Sequence, residues 1–458
     1  MAAGEETPSR VVVTTGEMAY GAHAVARSDG KVVFVRGAAP HEEVEVAVRE
    51  ARRRYAFADV VAVRRPSPAR RVAPCPYLPR CGGCPWQHID YPAQLAAKQR
   101  IVADQLQRLG QVETPVAAPL ASPREFAYRR RLKLRVADGV VGFHAAASHD
   151  LVAVDHCLLA EPHVDAAIAW LPDLVGALRS ALRRLEIASA GAGDLVVIAG
   201  EVEGAWHDDD ERACRAWLDA HPRVCGLVLR GRGWGRSWGG AGMAIAAGDG
   251  PPLRVRAPGF TQVNAGANGL LIERVVRGVA PREGLRVLDL YAGAGNLSLP
   301  LRRAGALVTA VEQDRGAAAD ARANADREPG PPLRVLAMAA ERALQQLADA
   351  GERFDAVVLD PPRGGAAACV APLLRIQVPR LVYVSCDPST LARDLRQLRG
   401  AYRIDDVQPI DFFPHTYHVE TVVSATLACD PHTPGVAFAR RRDSPDSRTR
   451  HRRRRRMS

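Results

Sequence analysis

Three stretches in the second half of the sequence carry side chains suited to covalent chemistry. A thiol, Cys386, follows the apolar run LVYVS and precedes Asp-Pro. A carboxylate, Asp360, follows VVL and precedes two prolines. The later segment DFFPHTYHVETV contains Glu420 together with His415 and His418. A thiolate is a nucleophile, and a carboxylate or imidazole moves protons, so the three stretches predict an active site.

Cys386 stands where a buried strand should end, because a proline two residues on does not continue a strand. Open α/β sheets bind their ligands at the carboxyl ends of their strands, which favours a functional thiol. A lone cysteine is also a good small filler of a core. This stretch alone does not separate the two interpretations.

The run VLDLYAGAGN predicts a nucleotide-like site. Asp289 ends a strand, and Gly293, Gly295 and Asn296 make a tight turn into a helix. Glu312 ends the next apolar run, where an acid holds ribose hydroxyls. The third glycine of dinucleotide sites is absent, which favours S-adenosylmethionine over NAD. The amino group of that donor needs an acid such as Asp289.

A methyl donor beside a thiol indicates methylation of a pyrimidine. Carbon 5 of uracil becomes nucleophilic when a thiolate, here from Cys386, adds to carbon 6. A base must then remove the carbon 5 proton, and Glu420 is our candidate. His415 and His418 would orient Glu420 or contact the base. Arg363, after the two prolines, suits a substrate oxygen or phosphate.

Residues 10–65 alternate in the manner of short strands, with a hairpin at Asp29-Gly30. This pattern predicts a small barrel of the oligonucleotide-binding type. Tyr55 and Phe57 adjoin an arginine run and would form an RNA-stacking surface. The alternative is an exposed strand edge protected by charge.

Three cysteines, Cys75, Cys81 and Cys84, follow a C-x5-C-x2-C pattern and need a fourth ligand. Zinc and a [4Fe-4S] cluster both accept four thiolates, and the spacing alone slightly favours zinc. The other cysteines outside the thiol and cluster candidates have no pattern and are predicted to be buried or incidental: Cys214, Cys225, Cys369 and Cys429.

The fold class predicted is α/β, a doubly wound Rossmann-like methyltransferase sheet preceded by an OB-like barrel and a mixed α+β central domain. An amphipathic helix should end at Gly110, and a helical stretch is expected around 161–186. The predicted divisions are a disordered segment 1–8, the barrel 9–66, a central domain 67–255, the methyltransferase domain 256–430 and a disordered Arg-rich tail 431–458.

The formal net charge is +11, and residues 440–456 with ten Arg and two Asp supply most of it. Such a tail adds sequence-blind affinity for RNA or has no specific role. No run approaches the ~18 apolar residues of a membrane span, and the first residues have no apolar signal core. We therefore expect a cytoplasmic protein with no membrane partner, and a monomer is plausible. Nine cysteines, unevenly spread, argue against a disulfide framework.

Seven motifs in order resemble the RNA 5-methyluridine (uracil-C5) methyltransferase family, with an N-terminal TRAM domain. They are PCPYLPRCGGCPWQHIDYPAQLAAKQ, FTQVNAGAN, LDLYAGAGNLSLPL, VEQD, LDPPRGG, VSCDPSTLARDL and FFPHTYHVE. The resemblance implies Cys386 as nucleophile and Glu420 as general base. It implies donor contacts from Gln262, Tyr291, Asn296, Glu312 and Asp360.

The resemblance also favours a [4Fe-4S] cluster over zinc and places its fourth ligand at Cys157. One departure is the segment VLAMAAERAL, where many relatives carry an Asn or Asp for the adenine amine. Glu341 would make that contact only if the register shifts by one residue.

The barrel and cluster motif resemble ribosomal RNA enzymes more than transfer RNA ones, so 23S rRNA is the favoured substrate and tRNA the alternative. A different class, a non-catalytic TRAM-type RNA-binding protein, would not need Cys386, Glu420 and the glycine turn together. A radical methylthiotransferase would need C-x3-C-x2-C, which the cysteine spacing does not match.

Overall fold

A computed structural model of the 458-residue chain describes residues 9–191 and 193–428. The segment 1–8 and the Arg-rich tail 431–458, both predicted to be disordered, lie outside these residues, as does Cys429. Among the helices that the structure describes, none is long and apolar enough to cross a membrane.

The N-terminal part is a closed five-stranded barrel with the order β1-β2-β3-β5-β4. Its strands are β1 (Arg10–Met18), β2 (His23–Ser28), β3 (Lys31–Arg36), β4 (Glu43–Ala51) and β5 (Tyr55–Arg65). The β2–β3 turn has positive φ at both Asp29 (49°) and Gly30 (76°), as a type I′ hairpin requires. Val33 and Val35 alternate with outward residues and fill the interior. The predicted OB-like barrel is confirmed.

The central part follows the cysteine loop. Helix α1 (Tyr91–Gln105) begins at Asp90, whose side chain accepts from Ala93 N, and a π-helical turn carries it to Gly110. A seven-stranded sheet then has the order β12-β11-β10-β9-β6-β7-β8. The elements are β6 (Arg131–Ala137), β7 (Val140–His144), β8 (Leu151–Ala153), α2 (Pro162–Ala166), α3 (Leu171–Ala177), β9 (Ala181–Ser189), β10 (Val196–Glu203), α4 (Asp209–Ala220), β11 (Val224–Gly231) and β12 (Trp234–Gly239).

The predicted helical stretch around 161–186 is wrong at its end. Helix α3 stops at Ala177, and Ala181–Ser189 forms β9. This strand pairs antiparallel with both β6 and β10, and Leu185 lies opposite Leu134 and Gly200. Partners on both sides outweigh a local pattern that also suits a helix.

The C-terminal part is a doubly wound sheet with the order β17-β16-β15-β18-β19-β21-β20, which confirms the predicted fold class. Strands β15 to β19 pair in parallel, and β21 pairs antiparallel with β19 and β20. A hairpin of β13 (Gly242–Ile245) and β14 (Leu253–Arg256) precedes it. The remaining elements are α5 (Ala265–Val279), β15 (Arg286–Leu290), α6 (Ser298–Arg303), β16 (Leu307–Val311), α7 (Arg315–Ala325), β17 (Arg334–Leu336), α8 (Ala340–Asp349), β18 (Ala356–Leu359), α9 (Ala367–Ile376), β19 (Arg380–Ser385), α10 (Pro388–Leu398), β20 (Tyr402–Ile410) and β21 (Glu420–Leu427).

Candidate active site and cysteine site

A cavity of about 850 Å³ opens at the carboxyl edge of the C-terminal sheet. It brings together the side chains or backbone of nine residues singled out from the sequence: Gln262, Tyr291, Gly293, Glu312, Asp360, Arg363, Cys386, His418 and Glu420. Glycine-turn residues and the thiol thus face one space, although almost a hundred residues separate them in the chain.

Cys386 directly follows β19, and α10 starts two residues later. Burial raises the pKa of the Cys386 thiol to about 12, and the charges of Glu420 and Asp360 add to the rise. The guanidinium of Arg363 acts in the opposite direction. A thiol in this setting is protonated in the free protein at neutral pH, and positive charge is what would favour its anion.

Two carboxyl groups, the partly buried Asp360 and the buried Glu420, line the cavity together with the thiol. Burial raises the pKa of Asp360 to about 7. Burial, and then the charge of Asp360, raises the pKa of Glu420 well above its usual value, and Arg363 opposes this. Arg363 Nη2 lies 3.5 Å from His418 Nε2, so the cation and the imidazole share the cavity wall. Groups with raised pKa values in a cleft are typical of proton-transfer sites.

The glycine turn is shaped for close approach by a ligand. Tyr291 has φ of 66°, and Gly293 and Gly295 have φ of 56° and 101°. A left-handed tyrosine is uncommon and marks strain at a functional turn. The carboxylate of Glu312 accepts from Gly293 N at 3.0 Å, which holds the acid against the turn.

Several residues named from the sequence lie outside the cavity lining. Asp289 is fully buried and accepts a hydrogen bond from Ser298, while burial raises its pKa to about 7. The Asn296 side chain exchanges 2.9 Å hydrogen bonds with Asn268. Glu341 lies at the start of α8. Burial and the hydrogen bond with Cys369 raise the pKa of Tyr291, and the charge of Glu341 adds a smaller rise.

His415 also differs from the expectation that it contacts or orients the reacting groups. It is fully buried, and its ring stacks on Phe126 at 4.3 Å. Its Nδ1 lies 3.1 Å from both Gln94 Nε2 and Arg71 Nη2. His415 therefore links the loop between β20 and β21 to α1 and to the segment before Cys75. His418 alone of the two imidazoles lines the cavity.

Sequence reasoning missed Phe413 and Arg129. Phe413 lines the cavity that contains Cys386, and the guanidinium carbon of Arg129 lies 5.7 Å from its ring centroid. Arg129 in turn lines the second cavity, described next. The pair FF before Pro414 was the available signal, but nothing local indicated which ring faces the site, and Phe412 is the buried one.

A cavity of about 310 Å³ is lined by all four proposed cluster ligands: Cys75, Cys81, Cys84 and Cys157. All four are free, partly buried thiols. Burial and then Cys157 raise the pKa of Cys84 to about 12. Within residues 9–191 and 193–428, no group of three or more His, Cys, Asp or Glu side chains stands close enough to hold a single metal ion. As a donor set, four thiols suit iron–sulfur or zinc.

Cys214 and Cys369 are buried, as expected for thiols without a pattern, and Cys225 is partly buried. Cys369 accepts or donates a 3.3 Å hydrogen bond with the hydroxyl of Tyr291. That contact places one of these thiols just behind the glycine turn.

The doubly wound sheet, with a glycine turn after β15 and an acid, Glu312, after β16, has the architecture of the class I methyltransferases. A solved structure with the same fold is the Pyrococcus abyssi tRNA (uracil-54, C5)-methyltransferase in complex with S-adenosyl-L-homocysteine. The TM-score is 0.69, with 24% identity, over 91% of this chain and 100% of that one.

Sequence comparison identifies the family. Residues 253–426 match the tRNA (Uracil-5-)-methyltransferase model, and residues 9–61 match the TRAM domain model. The 23S rRNA (uracil(1939)-C(5))-methyltransferase RlmD of Thiobacillus denitrificans is 37% identical over 87% of this chain and 96% of its own length. The protein of the same name from Pseudomonas putida is 38% identical over 87% and 89%. The chain belongs to the RNA uracil-C5 methyltransferase family.

Proposed function

We propose that this protein methylates carbon 5 of a uridine in 23S rRNA, with S-adenosylmethionine as the methyl donor. The observation that carries the proposal is the shared cavity of Cys386, Glu420 and the glycine-turn residues. The relatives named above support 23S rRNA. The alternative substrate is tRNA, because the solved structure with the same fold is a tRNA methyltransferase. An RNA substrate puts the proposed activity in the cytoplasm.

In the proposed mechanism the target uridine leaves its stack and enters the cavity, because carbon 6 is hidden in a duplex. Cys386 Sγ, as the anion favoured by Arg363, bonds to carbon 6, and the ring electrons make carbon 5 nucleophilic. S-adenosylmethionine would supply an electrophilic methyl group to carbon 5, with S-adenosylhomocysteine as the leaving group. Glu420 takes the proton from carbon 5, the carbon 5–carbon 6 double bond re-forms, and the thiolate leaves. Asp360 would accept a hydrogen bond from the uracil ring or the donor.

Donor binding is proposed for the residues around the glycine turn. Glu312 would hold the ribose hydroxyls, Gln262 and Tyr291 would flank the donor, and Gly293 and Gly295 allow its close approach. Asp289 and Asn296 would not contact the donor directly but would stabilise the conformation of the glycine turn. The barrel (9–66) and central domain (67–255) would bind RNA, and residues 256–430 would perform the transfer.

The test is a deletion strain of the host organism, complemented with the wild-type gene or with Cys386→Ala. We expect 5-methyluridine in 23S rRNA to disappear on deletion and to return with the wild type alone, measured by mass spectrometry of both RNA pools. Loss from tRNA instead would establish the alternative substrate. Unchanged 5-methyluridine in both pools would refute the proposed function, and restoration by Cys386→Ala would refute the nucleophile.

We propose separately that the four-cysteine cavity holds a [4Fe-4S] cluster. Four thiols around one cavity of about 310 Å³ provide the ligands and more room than one ion needs. Methyl transfer requires no electron, so the proposed role is to hold this region together. Anaerobic purification should give about four irons per chain, and Cys84→Ser should lower both the iron content and the melting temperature. One zinc in place of iron would contradict the proposal.

A further inference from the structure

Four aromatic rings lie against one another on the outer wall of the barrel. Phe34 and Phe57 are paired in register on β3 and β5, and their rings stack at 5.3 Å. His23 lies 5.4 Å from Phe57 on one side, and Tyr55 lies 5.7 Å from it on another. These residues alternate with the buried side chains of the same strands, so the rings face outward. Folding leaves them accessible on the barrel surface, and Tyr55 is 40% exposed.

A second group of rings lies between the β1–β2 turn and the cavity that contains Cys386. His23 O accepts from Ala19 N at the β1–β2 turn, which also carries Tyr20. The Tyr20 ring meets the Tyr417 ring edge-on at 5.7 Å. Tyr417 packs on His418 at 4.3 Å, and His418 lines the cavity that contains the thiol. We call the whole set the aromatic track: Tyr417, Tyr20, His23, Phe57, Phe34 and Tyr55.

Positive charge accompanies the far end of the track. The β4–β5 turn carries Arg52, Arg53 and Arg54, all exposed, directly before Tyr55. Rings for stacking combined with arginines for phosphates are the signature of single-stranded nucleic-acid binding. A surface that binds an apolar protein partner would not be expected to have three arginines beside its aromatic rings.

We propose that the aromatic track stacks unpaired bases of the substrate RNA that flank the target uridine, and so guides the strand from the barrel into the catalytic cavity. The inference rests on the proposed function, because it assigns the barrel surface to the same RNA. It adds the location of the strand and the chemistry of its binding. Base stacking is indifferent to sequence, so the track would contribute affinity rather than choice of uridine.

The test compares Tyr55→Ala with Val61→Ala, an apolar control on the same strand that is 44% exposed. Each variant methylates two transcripts, one with long unpaired flanks and one trimmed close to the target uridine. For Tyr55→Ala we expect the KM of the long transcript to rise about tenfold with kcat unchanged, as loss of one stacked base predicts. The trimmed transcript and the control should be unaffected. An unchanged KM for the long transcript, or an equal rise for both, would overturn the proposal.

Photocrosslinking decides the question independently of turnover. RNA that carries 5-iodouridine in the flanks should crosslink to tryptic peptides that contain Tyr55 or Phe57. Crosslinks confined to other peptides would overturn the track. If protein-free RNA binds Tyr55→Ala normally and only assembled ribosomal particles lose methylation, the surface binds protein and the proposal is wrong. If the wild-type chain crosslinks at these residues but forms no 5-methyluridine, the proposed function is wrong, whereas the assignment of the aromatic track to RNA binding stands.

Discussion

The hydroxyl of Tyr20, on the barrel, donates a 3.0 Å hydrogen bond to Asp387, the residue that follows Cys386. The other carboxylate oxygen of Asp387 accepts from the backbone N–H groups of Ser389 and Thr390 at 2.9 and 3.0 Å. Asp387 therefore caps α10 and also accepts a hydrogen bond from the barrel. Through this residue the barrel helps to set the position of the thiol.

Tyr20→Phe should lower kcat about five- to tenfold, because a hydrogen bond to a carboxylate that orients the thiol is lost. The ring and its contact with Tyr417 remain, so the KM for RNA should stay unchanged. Steady-state kinetics with a single transcript measure both constants. A rise in KM at constant kcat would show that the hydroxyl serves RNA binding instead.

Glu420→Gln should stop turnover and trap RNA on the protein. Without a base the proton on carbon 5 stays, so the thiol is not eliminated after methyl transfer. We expect a denaturation-stable RNA–protein complex on a gel, with S-adenosylmethionine present. The double variant Cys386→Ala/Glu420→Gln is the control and should form none. Normal turnover by Glu420→Gln would exclude this residue as the base.

In Arg363→Gln, the increase of kcat/KM with increasing pH should occur at a higher pH than in the wild type. The pKa of the Cys386 thiol is raised by burial, Glu420 and Asp360, and Arg363 lowers it. Removing the cation raises that pKa further, and it raises the pKa of Glu420 in the same direction. Both changes reduce the anionic forms at a given pH, so the rate at neutral pH should fall about tenfold, for a shift of about one pH unit.

A pH profile of kcat/KM, and the rate of Cys386 alkylation against pH, measure this shift. Arg396→Gln, on the exposed side of α10, is the matched control and should keep the wild-type profile. A parallel loss of rate at every pH, with no displacement, would mean that Arg363 binds substrate and does not act on the thiol.

Lys98→Met should destabilise the fold. Lys98 Nζ lies 2.6 Å from Asp411, and both side chains are fully buried. The substitution leaves a buried carboxylate without its cation, which costs about 3–5 kcal/mol in the free energy of unfolding. Urea denaturation of Lys98→Met against Lys133→Met, at a lysine whose side chain is 54% exposed, measures the difference. Equal midpoints would show that Asp411 is held by its other contact, the N–H of Phe413.

Much of the candidate site was predictable because its geometry is local. Parallel strands end at one edge of a sheet, so Asp360 after β18 and Cys386 after β19 must lie close together. Glycine spacing indicated the tight turn after β15 for a similar reason, since positive φ is a property of single residues. The hairpin at Asp29 and Gly30 followed from turn chemistry alone. By contrast, the local pattern does not predict β9, because the strands that stabilise it are distant in the chain.

The sequence by itself determined which reactive groups are present and which of them stand at strand ends. Tertiary structure decided how Glu420 reaches them, since it begins β21, and β21 runs antiparallel to β19 with Thr421 opposite Ser385. The start of a reversed strand meets the end of its neighbour, and strand direction depends on pairing that no local pattern encodes. The same holds for Tyr20 and the burial of His415, because contacts and pKa values arise from neighbours that only folding brings together.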